Sequence, residues 1–309
     1  MANIALIGLG AIGSIIARSI ERSQHTGYYF TTTPRQSLSI KYENSLNETY
    51  SIDSYTLHDE QIETIFNQVD LIIIATKATS NHTILKKITP YLNQDTPILF
   101  AQNGMGQTEQ YNQSVPSVVY ISGEQLDDKS VIHFQDQMLI LPNTEHSQII
   151  YDLLNSDDLT IVLSERFTRH HWKKILVNLG INSITAITMS TCHIVHSQYA
   201  VEWLTEIIRE GQSVCPIDEL KTDNFRHELI QLYQSYSKEM GTSMYYDLLN
   251  EKQTEVEFIQ GYLLRYAKSK KIDTPYIQSA YSLIKAKDSI NQQLVSSKNV
   301  TVDDSRNIQ

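Results

Sequence analysis

Ile4-Ala5-Leu6-Ile7-Gly8-Leu9-Gly10-Ala11-Ile12-Gly13 decides the reading of the first half of the chain. A short apolar run, suited to a strand, leads directly into the spacing Gly-x-Gly-x-x-Gly. Ile12, Ile15, Ile16 and Ile20 then recur at helical spacing. Glycine turns alone are common, but a strand entering the turn and an apolar helix leaving it give this spacing its meaning. Gly8 permits the tight turn, Gly10 lets the backbone approach a pyrophosphate, and Gly13 allows helix and strand to pack closely. The helix N-terminus turns its free N–H groups and positive dipole end toward the phosphates. Gly8, Leu9, Gly10, Ala11, Ile12 and Gly13 are therefore the expected dinucleotide cradle.

Which dinucleotide is decided about 20 residues on, where an NAD site places Asp or Glu against the ribose 2′-hydroxyl. Here the window reads Thr31-Thr32-Thr33-Pro34-Arg35, with no acid. Threonine hydroxyls such as that of Thr32 and the Arg35 guanidinium suit a 2′-phosphate, so NADPH is expected. A solvated Arg35 is the plainer alternative.

Outward from the turn, strand-like and helix-like patterns alternate. Tyr28–Thr33 is aromatic and β-branched, and Leu71–Thr76 is continuously apolar, as in a parallel strand covered on both faces. A helix is expected near Ser80–Leu92 and a buried strand at Pro97–Ala101. Such alternation predicts an α/β doubly wound sheet. Ser117–Ser122, Ser130–Phe134 and Gln137–Leu141 read as further strands, some antiparallel. Beyond about Glu165 the patterns are helical only: Ile175–Ile187, Val201–Gln212, Phe225–Lys238, Val256–Ser269 and Tyr276–Gln293. Two domains follow, 1–165 for the dinucleotide and 166–309 all-helical, with a polar tail of about fifteen residues expected to fray.

The most informative helical segment is Lys174-Ile-Leu-Val-Asn178-Leu-Gly-Ile-Asn182. It is apolar nearly all round and so should be buried, yet Lys174, Asn178 and Asn182 form one slowly drifting polar stripe at i, i+4, i+8. Unpartnered buried amides cost a few kcal/mol each, so the stripe must meet a ligand or another polar element. Gly180 leaves room for a close approach.

Other residues are ambiguous by position. Lys77 and Asn103 each follow a buried strand, where an open parallel sheet forms its ligand crevice, but ordinary loop residues stand there too. Glu255 sits at the edge of its helix and reads as a solvated acid, while Glu257 points away. Ser243 reads equally as an N-cap. Cys192, His193 and His196 lack a second ligand pair at metal spacing, so no metal is expected. His170 and His171 read as surface residues at a helix start.

The bulk properties exclude whole classes. Twenty-five basic residues against thirty-five acidic give a formal charge of −10 over 309 residues, which argues against nucleic acid. No apolar run reaches the roughly 18 residues of a membrane span. Two cysteines without a C-x-x-C fit a reducing cytoplasm. Apolar residues, 41% of the chain, suffice for a core without staples.

Four features together resemble the ketopantoate reductases over nearly the whole chain: the glycine turn; Gln102-Asn103-Gly104-Met105-Gly106; Lys174-x-x-x-Asn178-x-x-x-Asn182-Ser-Ile-Thr-Ala186; and Thr242-Ser243-Met244 followed by Glu255. The resemblance implies a Rossmann domain and a helical domain like that of 6-phosphogluconate dehydrogenases, with the active site in the cleft between them. It implies Lys174 as general acid and Glu255 as a ligand of the substrate hydroxyl. Asn103, Asn178, Asn182 and Ser243 would line the substrate, with Lys77 and Asn103 near the cofactor. Two positions depart from the family pattern: Ser183 stands where Pro is frequent, and Arg35 lies further from the second strand than the family's arginine.

The expected reaction is hydride transfer from NADPH to a small 2-keto acid, ketopantoate, with cationic Lys174 stabilising and protonating the forming oxyanion. Two alternatives remain at this stage. One is a related dehydrogenase for another 2-keto acid, a 3-hydroxy acid or a sugar phosphate; the other is a non-enzymatic NADP(H) sensor. A homodimer is compatible with the helical domain.

Overall fold

The computed structural model describes residues 1–42, 46–107 and 111–306, with side chains as far as 293. The chain divides into two compact units, Met1–His171 and Trp172–Gln309.

In the first unit β1 (Asn3–Ile7) runs into α1 (Ala11–Glu21), followed by β2 (Thr26–Phe30), β3 (Ser37–Tyr42), β4 (Asn47–Ser51) and β5 (Ser54–Tyr55). Then come α2 (Ile62–Phe66), β6 (Leu71–Ile74), α3 (Asn81–Ile88), β7 (Ile98–Phe100) and β8 (Ser114–Pro116). The order β5-β2-β1-β6-β7-β8 makes a six-stranded sheet whose pairings are all parallel. Strand order reverses beside β1: the chain first builds toward β2 and β5, then crosses to β6 and builds the other way. That reversal puts the carboxyl ends of β1 and β6 at a topological switch point, where such sheets bind ligands.

The apolar runs follow from burial on both faces. Ile4 and Leu6 join a core with Ile15, Ile16 and Ile20 of α1, while Ala5 and Ile7 join one with Phe66, Ile84 and Leu85. Over the α1 side lies a second sheet, β11-β10-β3-β4 with β9 on β10, formed with β9 (Val118–Gln125), β10 (Ser130–Pro142) and β11 (Thr160–Ser164); α4 (Glu145–Leu154) precedes β11. Buried Arg18 ties α1 to it, donating to Tyr42 Oη at 2.7 Å, Gln137 Oε1 at 2.7 Å and Asp158 O at 2.9 Å. Ser130–Phe134 and Gln137–Leu141, read above as separate strands, are one strand. The register shift between His133 and Gln137, with Asp136 at φ 59°, is a bulge inside it.

The second unit is helical: most of α5 (Phe167–Thr188), then α6 (Gln198–Val214), α7 (Asp223–Ser235), α8 (Ser243–Leu249), α9 (Gln260–Lys270) and α10 (Pro275–Arg306). The tail expected to fray continues α10 to Arg306. The Glu210 carboxylate caps the start of α10 by accepting the N–H groups of Tyr276 and Ile277, each at 2.9 Å. Among the described residues no helix is long and apolar enough to cross a membrane.

Candidate active site

In the first unit the chemistry gathers at the carboxyl ends of β1, β6 and β7. Gly8 has φ +100°, and a Cβ there would lie 2.7 Å from Thr76 Cγ2, so only glycine passes the turn. At Gly13 a Cβ would sit 1.8 Å from Gly8 O; α1 can lie this close to β1 only because that side chain is absent. Gly10 differs: its φ of −78° is ordinary, and a Cβ would meet nothing within 4 Å. The space over Gly10 is open, no side chain caps α1, and no acid stands in its first turn. Beside the turn, Thr76 Oγ1 is buried without a hydrogen-bond partner. An open cradle, uncapped N–H groups and an orphaned hydroxyl suit the phosphates of a dinucleotide.

Around this cradle, Arg35 Nη1 approaches Leu9 O at 3.4 Å, which puts the guanidinium against the glycine turn. Its backbone is fixed by Ser54, whose Oγ accepts the Arg35 N–H at 2.7 Å. Burial lowers the Arg35 pKa, while the charges of Asp128 and Asp127 oppose that shift. Thr32 is exposed in the bend after β2, and Lys77 is half-buried at the start of the short turn Ala78–Ser80.

Half-buried Asn103 follows β7 in a loop with Gly104 at φ 90° and Gly106 at φ 88°. The loops after β6 and β7 are locked together by a reciprocal amide pair. Asn81 Nδ2 donates to Gln102 Oε1 at 2.9 Å, Gln102 Nε2 donates to Asn81 Oδ1 at 2.7 Å, and Gln102 Nε2 also reaches Thr76 O at 2.8 Å.

His171 is not the surface residue its position suggested. Nε2 donates to Gly104 O at 2.9 Å, and the ring lies 5.2 Å from that of Phe167. Burial lowers its pKa, with the Gly104 carbonyl acting in the opposite sense.

In the second unit α5 carries the stripe. Its apolar surroundings are close-packed: a Cβ on Gly211 of α6 would lie 2.6 Å from Leu179 Cδ2. Gly180 accommodates fully buried Tyr233, whose hydroxyl donates to Val177 O at 2.9 Å and would lie 2.6 Å from a Cβ at position 180. Lys174 is half-buried on the same helix. Asn178 and Asn182 are only 9% and 5% exposed, yet among the described residues neither side chain hydrogen-bonds to the protein. Neither amide is among the fully buried, unpartnered polar atoms: each carboxamide reaches the surface at an otherwise buried position of α5, where its donors and acceptor are open to a ligand.

Ser243 and Glu255 are held near this helix by tertiary hydrogen bonds. Thr242, not Ser243, caps α8, accepting from the Tyr245 N–H at 3.3 Å; its hydroxyl also lies 2.7 Å from that of Thr185 on α5. Ser243 is the exposed first residue of α8.

Glu255 is not on a helix edge: residues 254–259 form a turn, and α9 begins only at Gln260. Buried Gln260 donates Nε2 to Ser183 Oγ at 2.7 Å, next to Asn182; a proline at 183 would offer no such acceptor. Glu255 is half-buried. Glu257, expected to point away, accepts from Tyr281 Oη at 2.7 Å and pairs with Lys285 at 3.1 Å. Burial raises its carboxyl, but these partners and Arg265 hold it below the usual range.

The sequence reading gave no structural role to His171, placed at the surface, or to Gln102, quoted only within its motif, and did not name Asn81, Tyr233 or Thr254. Only Gly180 offered a signal for any of them, the room it leaves for a ring. Cys192 is buried, with its thiol pushed up to about 11 by burial. Among the described residues no group of three His, Cys, Asp or Glu is placed to hold a metal.

Comparison with known proteins bears on both units. Residues 4–146 match the family model "Ketopantoate reductase PanE/ApbA", and residues 166–288 match its C-terminal counterpart. The 2-dehydropantoate 2-reductase of Vibrio cholerae is 24% identical over 295 residues, 92% of this chain and 97% of that protein. A solved dimeric ketopantoate reductase from Staphylococcus aureus is 30% identical, with TM-score 0.84 over 93% of this chain and 99% of that one. A D-mandelate dehydrogenase, solved with NADH and anilino(oxo)acetate, shares the fold at TM-score 0.81 and 21% identity, over 94% of this chain and 99% of that one.

Proposed function

The chain belongs to the ketopantoate reductase family, an oxidoreductase using a nicotinamide cofactor, and from that premise we propose that it reduces 2-dehydropantoate to pantoate with NADPH. The observation that carries this reading is the α5 stripe: two nearly buried carboxamides without protein partners, one and two turns beyond a lysine. Such a set recognises a small anion bearing a carbonyl. The first unit serves as the dinucleotide-binding domain and the second as the substrate domain.

When bound, the nicotinamide supplies the hydride that reduces the ketone carbon. Gly8–Gly13 and the α1 N-terminus would hold the pyrophosphate, Thr32 and Arg35 would take the 2′-phosphate, and Lys77 and Asn103 would add further contacts to the cofactor. Lys174 neutralises the charge growing on the carbonyl oxygen and gives it a proton, completing the two-electron reduction to the alcohol. Asn103, Asn178, Asn182 and Ser243 orient the carboxylate and keto group through hydrogen bonds. Glu255 accepts the terminal hydroxyl of the substrate, and losing such a bond in a desolvated site discriminates strongly against analogues. Buried reduced cysteines suit a cytoplasmic enzyme, and the dimeric relative supports a homodimer.

The test is NADPH oxidation by wild type and Lys174→Ala, with 2-dehydropantoate and with the same keto acid lacking its hydroxyl. Faster turnover of 2-dehydropantoate, and a loss of roughly 10²–10⁴-fold in kcat on removing the acid, are expected. NADPH binding without reduction of either acid refutes the substrate assignment and points to another 2-keto acid or a sensor.

A further inference from the structure

We propose that Asp288 is a positioning residue for Glu255 and thereby sets the preference for a hydroxyl-bearing substrate; this rests on the role of Glu255 proposed above. Asp288 lies on α10 and is 1% exposed. Both of its carboxylate oxygens engage one residue: Oδ1 accepts the Thr254 N–H at 3.2 Å, and Oδ2 accepts the Thr254 hydroxyl at 2.8 Å. Thr254, also 1% exposed, uses the same hydroxyl oxygen to accept the Val256 N–H at 3.4 Å. The buried carboxylate thus holds the 253–254 peptide directly and, through the Thr254 hydroxyl, the 255–256 peptide that follows Glu255.

The surrounding backbone shows why that matters. Residues 250–253 form no regular ladder, and Glu251 takes a left-handed φ of 55°. After Glu255, the Phe258 N–H returns to Glu255 O at 3.0 Å and the Gly261 N–H to Val256 O at 2.8 Å. Gln260 then anchors the turn to Ser183 on α5. Asp288 holds one end of the Glu255 turn and Gln260 the other. Burying a carboxylate is costly unless its hydrogen bonds are made. Here those bonds fix the segment bearing the proposed specificity acid. Displacing a site group by about 1 Å can cost ~10²-fold in rate.

The experiment compares Asp288→Asn, Thr254→Val and Thr254→Ser with Glu255→Gln. The readout is the ratio of kcat/KM for 2-dehydropantoate to that for the same acid lacking its hydroxyl. This ratio is independent of the fraction of enzyme folded, and a purely structural defect lowers both rates together. Asp288→Asn and Thr254→Val should lower the ratio about tenfold or more, by raising KM for the hydroxyl-bearing substrate alone. Thr254→Ser, which keeps the hydroxyl, should retain the wild-type ratio. If Glu255→Gln collapses the ratio while Asp288→Asn and Thr254→Val leave it intact, the positioning role is overturned and the reading of Glu255 stands. If wild type shows no preference, or Glu255→Gln keeps it, the reading of Glu255 falls and takes this inference with it.

Discussion

Replacing Gly10 with alanine separates ligand binding from folding at the glycine turn. The backbone there is extended, φ −78° and ψ −164°, and the new methyl meets no atom within 4 Å. The apo protein should keep its stability within about 0.5 kcal/mol. The methyl does occupy the space through which the proposed pyrophosphate would reach the α1 N–H groups. A carbon keeps its neighbours about 3.5 Å away, whereas a phosphate oxygen must come within about 2.9 Å of a donor. Losing one such charge-assisted bond costs about 1.5–3 kcal/mol, roughly ten- to a hundredfold in Kd.

Thermal denaturation reads this directly. NADPH at 100 times the wild-type Kd adds about 2.7 kcal/mol of stability, worth roughly 5–11 °C in Tm at about 2–4 °C per kcal/mol. If Kd rises a hundredfold, the same NADPH adds only about 0.4 kcal/mol, a shift of about 1–2 °C. Gly13→Ala is the contrast: its Cβ would lie 1.8 Å from Gly8 O, so the apo Tm itself should fall. A full NADPH shift in Gly10→Ala would refute the placement of the phosphates over this turn.

Asn178→Ala and Asn182→Ala remove carboxamides that have no protein partner, so the unfolding free energy from urea titration should change by less than about 1 kcal/mol, while kcat/KM for the keto acid drops at least about tenfold. His171 titrates below its ordinary value because burial disfavours the cation. The unfolded chain therefore takes up the proton first: stability is complete above about pH 6.5 and declines as pH falls toward the lowered value. His171→Gln, which can still donate to Gly104 O, should flatten that acid limb in urea titrations; an unchanged slope would assign it to other groups. Arg35→Gln should reduce the NADPH-to-NADH ratio of kcat/KM several-fold, and Asp128→Asn, which removes an opposing charge, should raise it by less than about fivefold, the scale of an exposed pair. Burial pushes both Cys192 and Cys215 up to about 11, so a thiol reagent at neutral pH should label neither in the native protein and both after denaturation.

How far the sequence could be read depended on how local the cause of each feature is. The glycine turn was legible because the demand on Gly13 comes from Gly8, five residues away. The α5 stripe was legible because a 3.6-residue period exposes any polar interruption. Strands β3 and β4 were not read: Ser37–Tyr42 does alternate, with Leu38 and Ile40 buried, but it is short, while Asn47–Ser51 is mostly polar and is held by pairing with β3, which itself pairs with β10 far along the chain. The Glu255 turn misread as helix has the same origin. Val256, Ile259, Leu263 and Ala267 do repeat at helical spacing, but Thr254 bonds to Asp288, 34 residues on, and α9 begins only at Gln260. His171 gave no signal because its partner is a backbone carbonyl in another loop.

The choice of amides around Lys174 follows from what the proposed reaction asks of that lysine. In a chain of formal charge −10, a second cation beside the keto acid would strengthen anion binding. It would also disfavour the protonated form of Lys174 by like-charge repulsion, and a deprotonated lysine has no proton to give. In the proposed site Asn178 and Asn182 would avoid that conflict, because neutral donors on the same helix face orient a carboxylate without competing for the lysine's charge. Their isolation from protein partners is then what keeps both donor groups available to the ligand, and it is the reason their removal should be felt in KM and turnover rather than in folding.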